Sequence, residues 1–143
     1  MAGPAVSVVM PARDAERTIA ASLAALARQT LAPVDYEVIV VDDGSADDTA
    51  AIAARFPGVR VLLQGRRGDE ASRRAGAAAA RGEVVAFARA DAPPAEGWLE
   101  ELVRAFADEG VTRVPVRRSA LRRRRPVEAA RRWAILGSGR RLT

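Results

Sequence analysis

The sequence predicts an α/β fold, a mostly parallel sheet with helices on both faces. Three observations carry that expectation. Short apolar runs rich in Val and Ile alternate four times with alanine-rich segments of helical spacing. The connections between them are short, as in doubly wound sheets. Charged residues gather after three of the runs, and in an open α/β sheet ligands are met just beyond the carboxyl ends of the strands.

Taken in order, residues 6–10 are an almost wholly apolar run ending at Pro11, which reads as a buried first strand. Residues 15–29 carry Ile19, Leu23 and Leu26 at helical spacing, and Pro33 closes that segment. Residues 36–41 form the second strand, followed at once by Asp42, Asp43, Gly44 and Ser45. A second helix is expected over 46–56, stopped by Pro57 and Gly58, and a third strand over 59–63. An alanine-rich helix over 69–81 ends at Gly82, which reads as its C-cap. A fourth strand over 83–88 leads to Arg89, Ala90 and Asp91, and a fourth helix over 98–107 repeats Trp98, Leu102 and Phe106 by fours. Beyond Gly110 the pattern weakens: 111–116 is a fifth-strand candidate and 126–136 a short amphipathic helix, with the last seven residues frayed.

Composition excludes several chemistries. The 143 residues make one domain by length, with 49% hydrophobic content, much of it alanine. There is no Cys, so disulfides and thiolate metal sites are excluded. There is no His, hence no imidazole base and no Ser-His-Asp triad. All 23 basic residues are Arg, which reflects a coding bias toward Arg and Ala more than a functional choice. Neither a GxGxxG loop nor a Walker sequence occurs, and a Walker lysine is impossible, which argues against P-loop NTPases and standard dinucleotide dehydrogenases. No apolar run approaches the length of a membrane span, and the first ten residues lack the basic start of a signal peptide. A cytoplasmic location is the resulting expectation.

The charge is divided. In residues 1–112 twelve Arg face seventeen acids, a net −5, whereas in 113–143 eleven Arg face Glu128 alone, a net +10. Residues 1–112 are accordingly expected as the folded domain and 113–143 as an Arg-rich segment, partly disordered. Such a segment reads either as a solvated terminus or as an attachment to an anionic membrane surface, with Trp133, Ile135 and Leu136 as a shallow anchor. Nucleic acid is the weaker partner expectation, since Trp133 is the segment's one aromatic residue.

Polar groups gather after three strands: Arg13 and Asp14, Asp42 and Asp43, Arg89 and Asp91. Parallel strands would set them along one sheet edge. Carboxylates there can hydrogen-bond a base or ribose, or hold a divalent cation against phosphate oxygens. Turn and capping chemistry suffices to explain Ser45 and Asp47. It does not require two adjacent carboxylates, so Asp42 and Asp43 point to a ligand.

The segments Val6 to Pro11, Glu37 to Ser45 with Asp47, Gly82 to Phe87 with Asp91, and Pro94 with Trp98-Leu99-Glu100 together resemble the N-terminal part of a family 2 glycosyltransferase of the GT-A fold. The resemblance covers about residues 5–107, in order and spacing. It implies a partial, Rossmann-like GT-A domain that binds a nucleotide-diphosphate sugar and serves an inverting transfer to an acceptor; the alternative is a non-catalytic relative that keeps the fold and binds nucleotide. Asp43 would recognise the base with Asp42 beside it, the backbone at Pro11 would contact the nucleotide, and Arg13 and Arg73 would line the site. Asp91 corresponds to the last acid of the family's Asp-x-Asp turn, which holds Mg²⁺ or Mn²⁺ on the diphosphate. The turn's first acid is Arg89 here and the following one Ala92; Arg89 either pairs with a phosphate directly or marks a lost metal site. The family's Tyr-Asn after the first strand reads Ala12-Arg13-Asp14, and its Arg-Asn reads Arg73-Arg74. Family members carry the acceptor site and catalytic base further downstream, and nothing in 113–143 resembles that part, so no catalytic base is named.

Overall fold

The computed structural model describes residues 3–109 and 132–135. Five strands, β1 (Val6–Ala12), β2 (Tyr36–Asp43), β3 (Val59–Gln64), β4 (Val84–Phe87) and β5 (Arg132–Ile135), form one sheet in the order β3-β2-β1-β4-β5. Every neighbouring pair is parallel. Four helices connect them: α1 (Ile19–Ala27), α2 (Thr49–Ala54), α3 (Asp69–Ala79) and α4 (Trp98–Glu109), with a short 3-10 turn at Pro33–Asp35. The chain steps outward from β1 to β2 to β3, then α3 carries it back to β4 on the other side of β1. The order of the strands therefore reverses between β1 and β4, and a crevice opens at the carboxyl ends of strands flanking such a reversal.

Both faces of the sheet are covered. Along β1 successive side chains alternate faces, so Val6, Val8 and Met10 pack with Ile19, Leu23 and Leu26 of α1, Ala53 of α2, and Trp98, Leu99 and Leu102 of α4. Val9 points the other way, into a smaller cluster with Ile39, Val41, Ala77, Val85 and Phe87. Among the described residues only α3 covers that second face, and it lies very close. A Cβ on Gly76 would come within 2.2 Å of Val9 Cγ1 and 3.2 Å of Val41 Cγ2. The absent side chain sets the distance between α3 and the sheet, and so places the start of α3 over the ends of β1 and β2.

Two local expectations are corrected. Gly82 does not cap α3: the helix ends at Ala79 with an extended C-cap at Ala80. Gly82 instead passes so near β1 that a Cβ would sit 2.7 Å from the Ser7 amide nitrogen. Its N–H donates to Ser7 Oγ at 2.8 Å, and Ser7 in turn donates to Glu37 Oε1 at 2.6 Å. The expected helix over 126–136 gives way at Arg132–Ile135 to β5, whose residues pair with Val84 to Phe87. A four-residue stretch has too few turns for its apolar spacing to separate helix from strand, and the backbone groups of β4 decide the matter. The Arg-rich segment thus contributes one strand to the sheet. The strand expected over 111–116 and the frayed end at 137–143 lie outside the described residues. Among the described residues no helix is long and apolar enough to cross a membrane.

Candidate functional site

Loops after β1, β2 and β4 and the loop between β3 and α3 meet at one edge of the sheet. The first two are laced together. Asp14 adopts a left-handed backbone, φ 47°, which a non-glycine residue holds only when its surroundings compensate. Here they do. The Asp14 N–H donates to Ser45 Oγ at 2.9 Å, and its Oδ1 accepts from the Ala46 N–H at 2.8 Å. The Ala15 N–H donates to Thr49 Oγ1 at 2.8 Å, and the Glu16 N–H to Asp47 Oδ2 at 3.2 Å. Asp47 Oδ1 accepts from the Thr49 hydroxyl and from the Thr49 N–H, and the hydroxyl bond is the main cause that holds this carboxyl below its ordinary pKa. Ser45 and Asp47 are thus structural, as turn chemistry suggested, but their work is to tie two loops rather than to cap α2. The N-cap of α2 is Asp48, with no side-chain capping bond.

Asp42 and Asp43 close β2 and are buried, 6% and 4% exposed. Asp42 Oδ1 accepts from the Ser45 hydroxyl, linking the strand end to the laced loops. Asp43 reaches the other way. Its Oδ1 accepts from the Arg67 N–H at 2.8 Å and from Gln64 Nε2 at 3.0 Å, and its Oδ2 from the Gly68 N–H at 3.1 Å. The Arg67 amide is the largest cause of a lowered pKa, followed by Gln64; burial opposes, and Gly68 and the charge of Arg13 assist. The carboxylate is therefore held ionised and shapes the entry to α3. Gly68 can take its place because it sits at φ 96°.

The turn after β4 holds the remaining groups. The Ala88 N–H donates to Val9 O at 2.9 Å, and Ser22 Oγ, fully buried in α1, donates to Ala90 O at 3.1 Å. Arg89 and Asp91 flank that anchored point. Arg89 Nε donates to Asp91 Oδ1 and Arg89 Nη2 to Asp91 Oδ2, each at 2.8 Å, a bidentate pair with both side chains about half exposed. The hydrogen bonds from Arg89 pull the Asp91 carboxyl below its ordinary range, and those same bonds raise the Arg89 guanidinium. Asp69, at the start of α3, adds to the field on Arg89 and lies 3.0 Å from Arg73 Nε. Arg73 spreads its guanidinium 5.7 Å from the centroid of the Phe87 ring. Arg74 points elsewhere, into an exposed pair with Glu70.

Of the residues singled out in the sequence, Pro11, Arg13, Asp42, Asp43, Arg73, Arg89 and Asp91 all belong to this edge. Pro11 lies opposite Val41 near the end of β1, and Arg13 is half exposed, 4.0 Å from Asp14. Sequence reading missed Gln64, Ser22 and Ser72. Gln64 Nε2 also donates to Ser72 Oγ at 2.8 Å, and Ser72 is fully buried. A single polar residue on an otherwise apolar face is the signal that would have found Ser22 and Ser72.

Asp91 fits a divalent cation poorly. Mg²⁺ and Mn²⁺ are held by several oxygen ligands. Both Asp91 oxygens are engaged by Arg89, and no group of three or more His, Cys, Asp or Glu able to hold a metal gathers among the described residues. The Asp91 oxygens, expected to meet a metal, here accept from an Arg of the same turn. Among the described residues, one cleft lined by Leu23, Tyr36, Phe56 and Val59 opens at the starts of β2 and β3, and another lies beside Thr30 and Glu100, both away from the strand-end edge.

Known proteins resemble this chain in sequence and fold. The family model described as glycosyl transferase family 2 matches residues 7–141. An uncharacterized glycosyltransferase of Mycobacterium tuberculosis is 41% identical over 118 residues, 82% of this chain and 50% of that protein. Glycosyltransferase AglE of Haloferax volcanii is 34% identical over 113 residues, 76% of this chain and 37% of AglE. The crystal structure of S. aureus TarS 1-349 superposes with a TM-score of 0.70 and 26% identity, covering 73% of this chain and 33% of that one. Structures of the same part of TarS in complex with UDP and with UDP-GlcNAc superpose with a TM-score of 0.67 at 25% identity. The chain spans about half the length of the mycobacterial relatives it matches.

Proposed function

The chain belongs to glycosyl transferase family 2, and from that membership we propose that its strand-end edge binds the nucleotide of a nucleotide-diphosphate sugar, as the donor-binding part of a transferase. The observation that carries the proposal is the meeting of Asp42, Asp43, Arg13, Arg73 and Arg89 at the carboxyl ends of β1, β2 and β4, beside the reversal of strand order. The TarS complexes support the donor class, because a chain of similar fold binds UDP and UDP-GlcNAc. A carboxylate offers about four acceptor sites. Asp43 uses three, and we assign the fourth, on Oδ2, to an N–H of the base. Asp42 and the backbone at Pro11 flank it, and the guanidinium groups of Arg13 and Arg73 face the phosphates. The transfer itself we take as inverting, on the family resemblance alone, with the acceptor unassigned.

Isothermal titration of the full chain with UDP and with GDP tests the donor site. Binding of one of them, lost in Asp43→Ala while the protein remains folded, is the expected result. Absence of binding by either nucleotide at millimolar concentration would reject it. The net +10 of residues 113–143 supports a companion proposal, peripheral contact with an anionic membrane. The chain should then sediment with phosphatidylserine vesicles at low salt and be released at high salt; failure to sediment contradicts it.

A further inference from the structure

We propose that the Arg89 guanidinium, oriented by Asp91, takes the diphosphate of the donor directly, so that nucleotide binding at this edge needs no divalent cation. The inference rests on the donor-site reading above and adds what neutralises the phosphates. Its basis is the geometry of the Arg89–Asp91 pair. A guanidinium carries five N–H donors in a fixed plane. Asp91 takes the side formed by Nε and Nη2, one N–H from each, at 2.8 Å. Three donors remain, two on Nη1 and one on Nη2, and one from each nitrogen forms a second fork in the same plane. That fork matches two oxygens of a phosphate, the bidentate recognition at which Arg excels.

The pair is also held in place. The Ala90 carbonyl between its members is fixed to α1 by Ser22, and Arg89 is bridged to Ala92 across the turn. Asp91 thus acts as a positioning residue. It removes the rotational freedom of a long side chain before a ligand arrives, which lowers the entropy cost of binding. A divalent ion in the same turn would have to displace a charge-assisted pair to reach the Asp91 oxygens, and it would then stand beside the Arg89 cation. Arg73 stands in an ion pair with Asp69 and over the Phe87 ring on the neighbouring element.

Calorimetric titration of UDP into the full chain, first in EDTA and then in Mn²⁺, tests the inference. The wild type should bind with the same affinity in both. Arg89→Ala should weaken UDP binding in EDTA by about tenfold or more, as charge-assisted hydrogen bonds are lost, and leave uridine binding unchanged. Asp91→Asn should weaken UDP binding equally in EDTA and in Mn²⁺, because its effect passes through Arg89. Arg89→Asp, which restores two acids to the turn, should bind UDP only when Mn²⁺ is added. Both residues are half exposed, and unchanged thermal midpoints will show that the variants fold. Wild-type binding that requires Mn²⁺, or an Arg89→Ala variant that binds UDP normally in EDTA, overturns the inference while leaving the donor site standing. Absence of UDP binding under both conditions removes the donor site itself, and this inference with it.

Discussion

Asp43 satisfies three donors with one carboxylate, and two of them are backbone amides that cannot find another partner without refolding the loop. Replacing it with Asn removes one acceptor oxygen and sets an NH₂ against those N–H groups. Leaving a buried donor unsatisfied costs about 1–3 kcal/mol, so Asp43→Asn should lower thermal or urea stability by that order at neutral pH. The pH dependence follows from the same bonds. The folded-state pKa of Asp43 is depressed, so the unfolded chain binds its proton more readily. The stabilisation is present above the unfolded-state pKa and is lost as pH falls through the folded value. Wild-type stability should therefore fall with acid below about pH 4, and that fall should be shallower in Asp43→Asn. Equal acid slopes by urea denaturation would contradict the assignment. The adjacent carboxylates at the strand end were legible in the sequence, and a ligand was expected beside them. That one of them also builds the entry to α3 was not, because its partners Gln64, Arg67 and Gly68 lie more than twenty residues away.

At the scale of elements, the position of α3 decides whether Gly68, Asp69 and Arg73 reach the strand ends. Gly76 sets that position. Gly→Ala within a helix gains about 1 kcal/mol of propensity, but the added Cβ would meet Val9 Cγ1 at 2.2 Å. Val9 is β-branched, fully buried and paired on both sides, so it has little room to move. Overpacking costs about 1–3 kcal/mol, and it should win. Gly76→Ala is expected to lower the thermal midpoint, and Gly76→Ala with Val9→Ala to recover part of the loss. A stabilised single variant would mean that α3 stands off the sheet. The strands and helices were readable because their periodicities are local. Gly82 was misread as a cap because its reason is a contact with Ser7 seventy-five residues earlier. β5 was misread because pairing with β4, not local propensity, makes it a strand. The Arg89–Asp91 pair sits between these cases: both residues were visible, but only the turn that folds Arg89 against Ala92 brings them into a bidentate contact.

For the whole molecule, one sheet edge collects the polar groups while apolar clusters fill both faces, and this division lets a core rich in alanine present a charged site without weakening itself. The reversal of strand order between β1 and β4 was implicit in the alternation of strands and helices, since parallel strands joined by helices leave few topologies open. The ordered motifs carried the family, on which the proposed donor class rests. The central claim is that a nucleoside diphosphate lies along this edge. Amide NMR of the full chain during the UDP titration tests it most directly. The account predicts shift changes concentrated in residues 12–14, 42–45, 66–73 and 88–92, around β1, β2, the start of α3 and the turn after β4. Changes gathered instead around the cleft at Leu23, Tyr36 and Phe56, or none at saturating UDP, would contradict it.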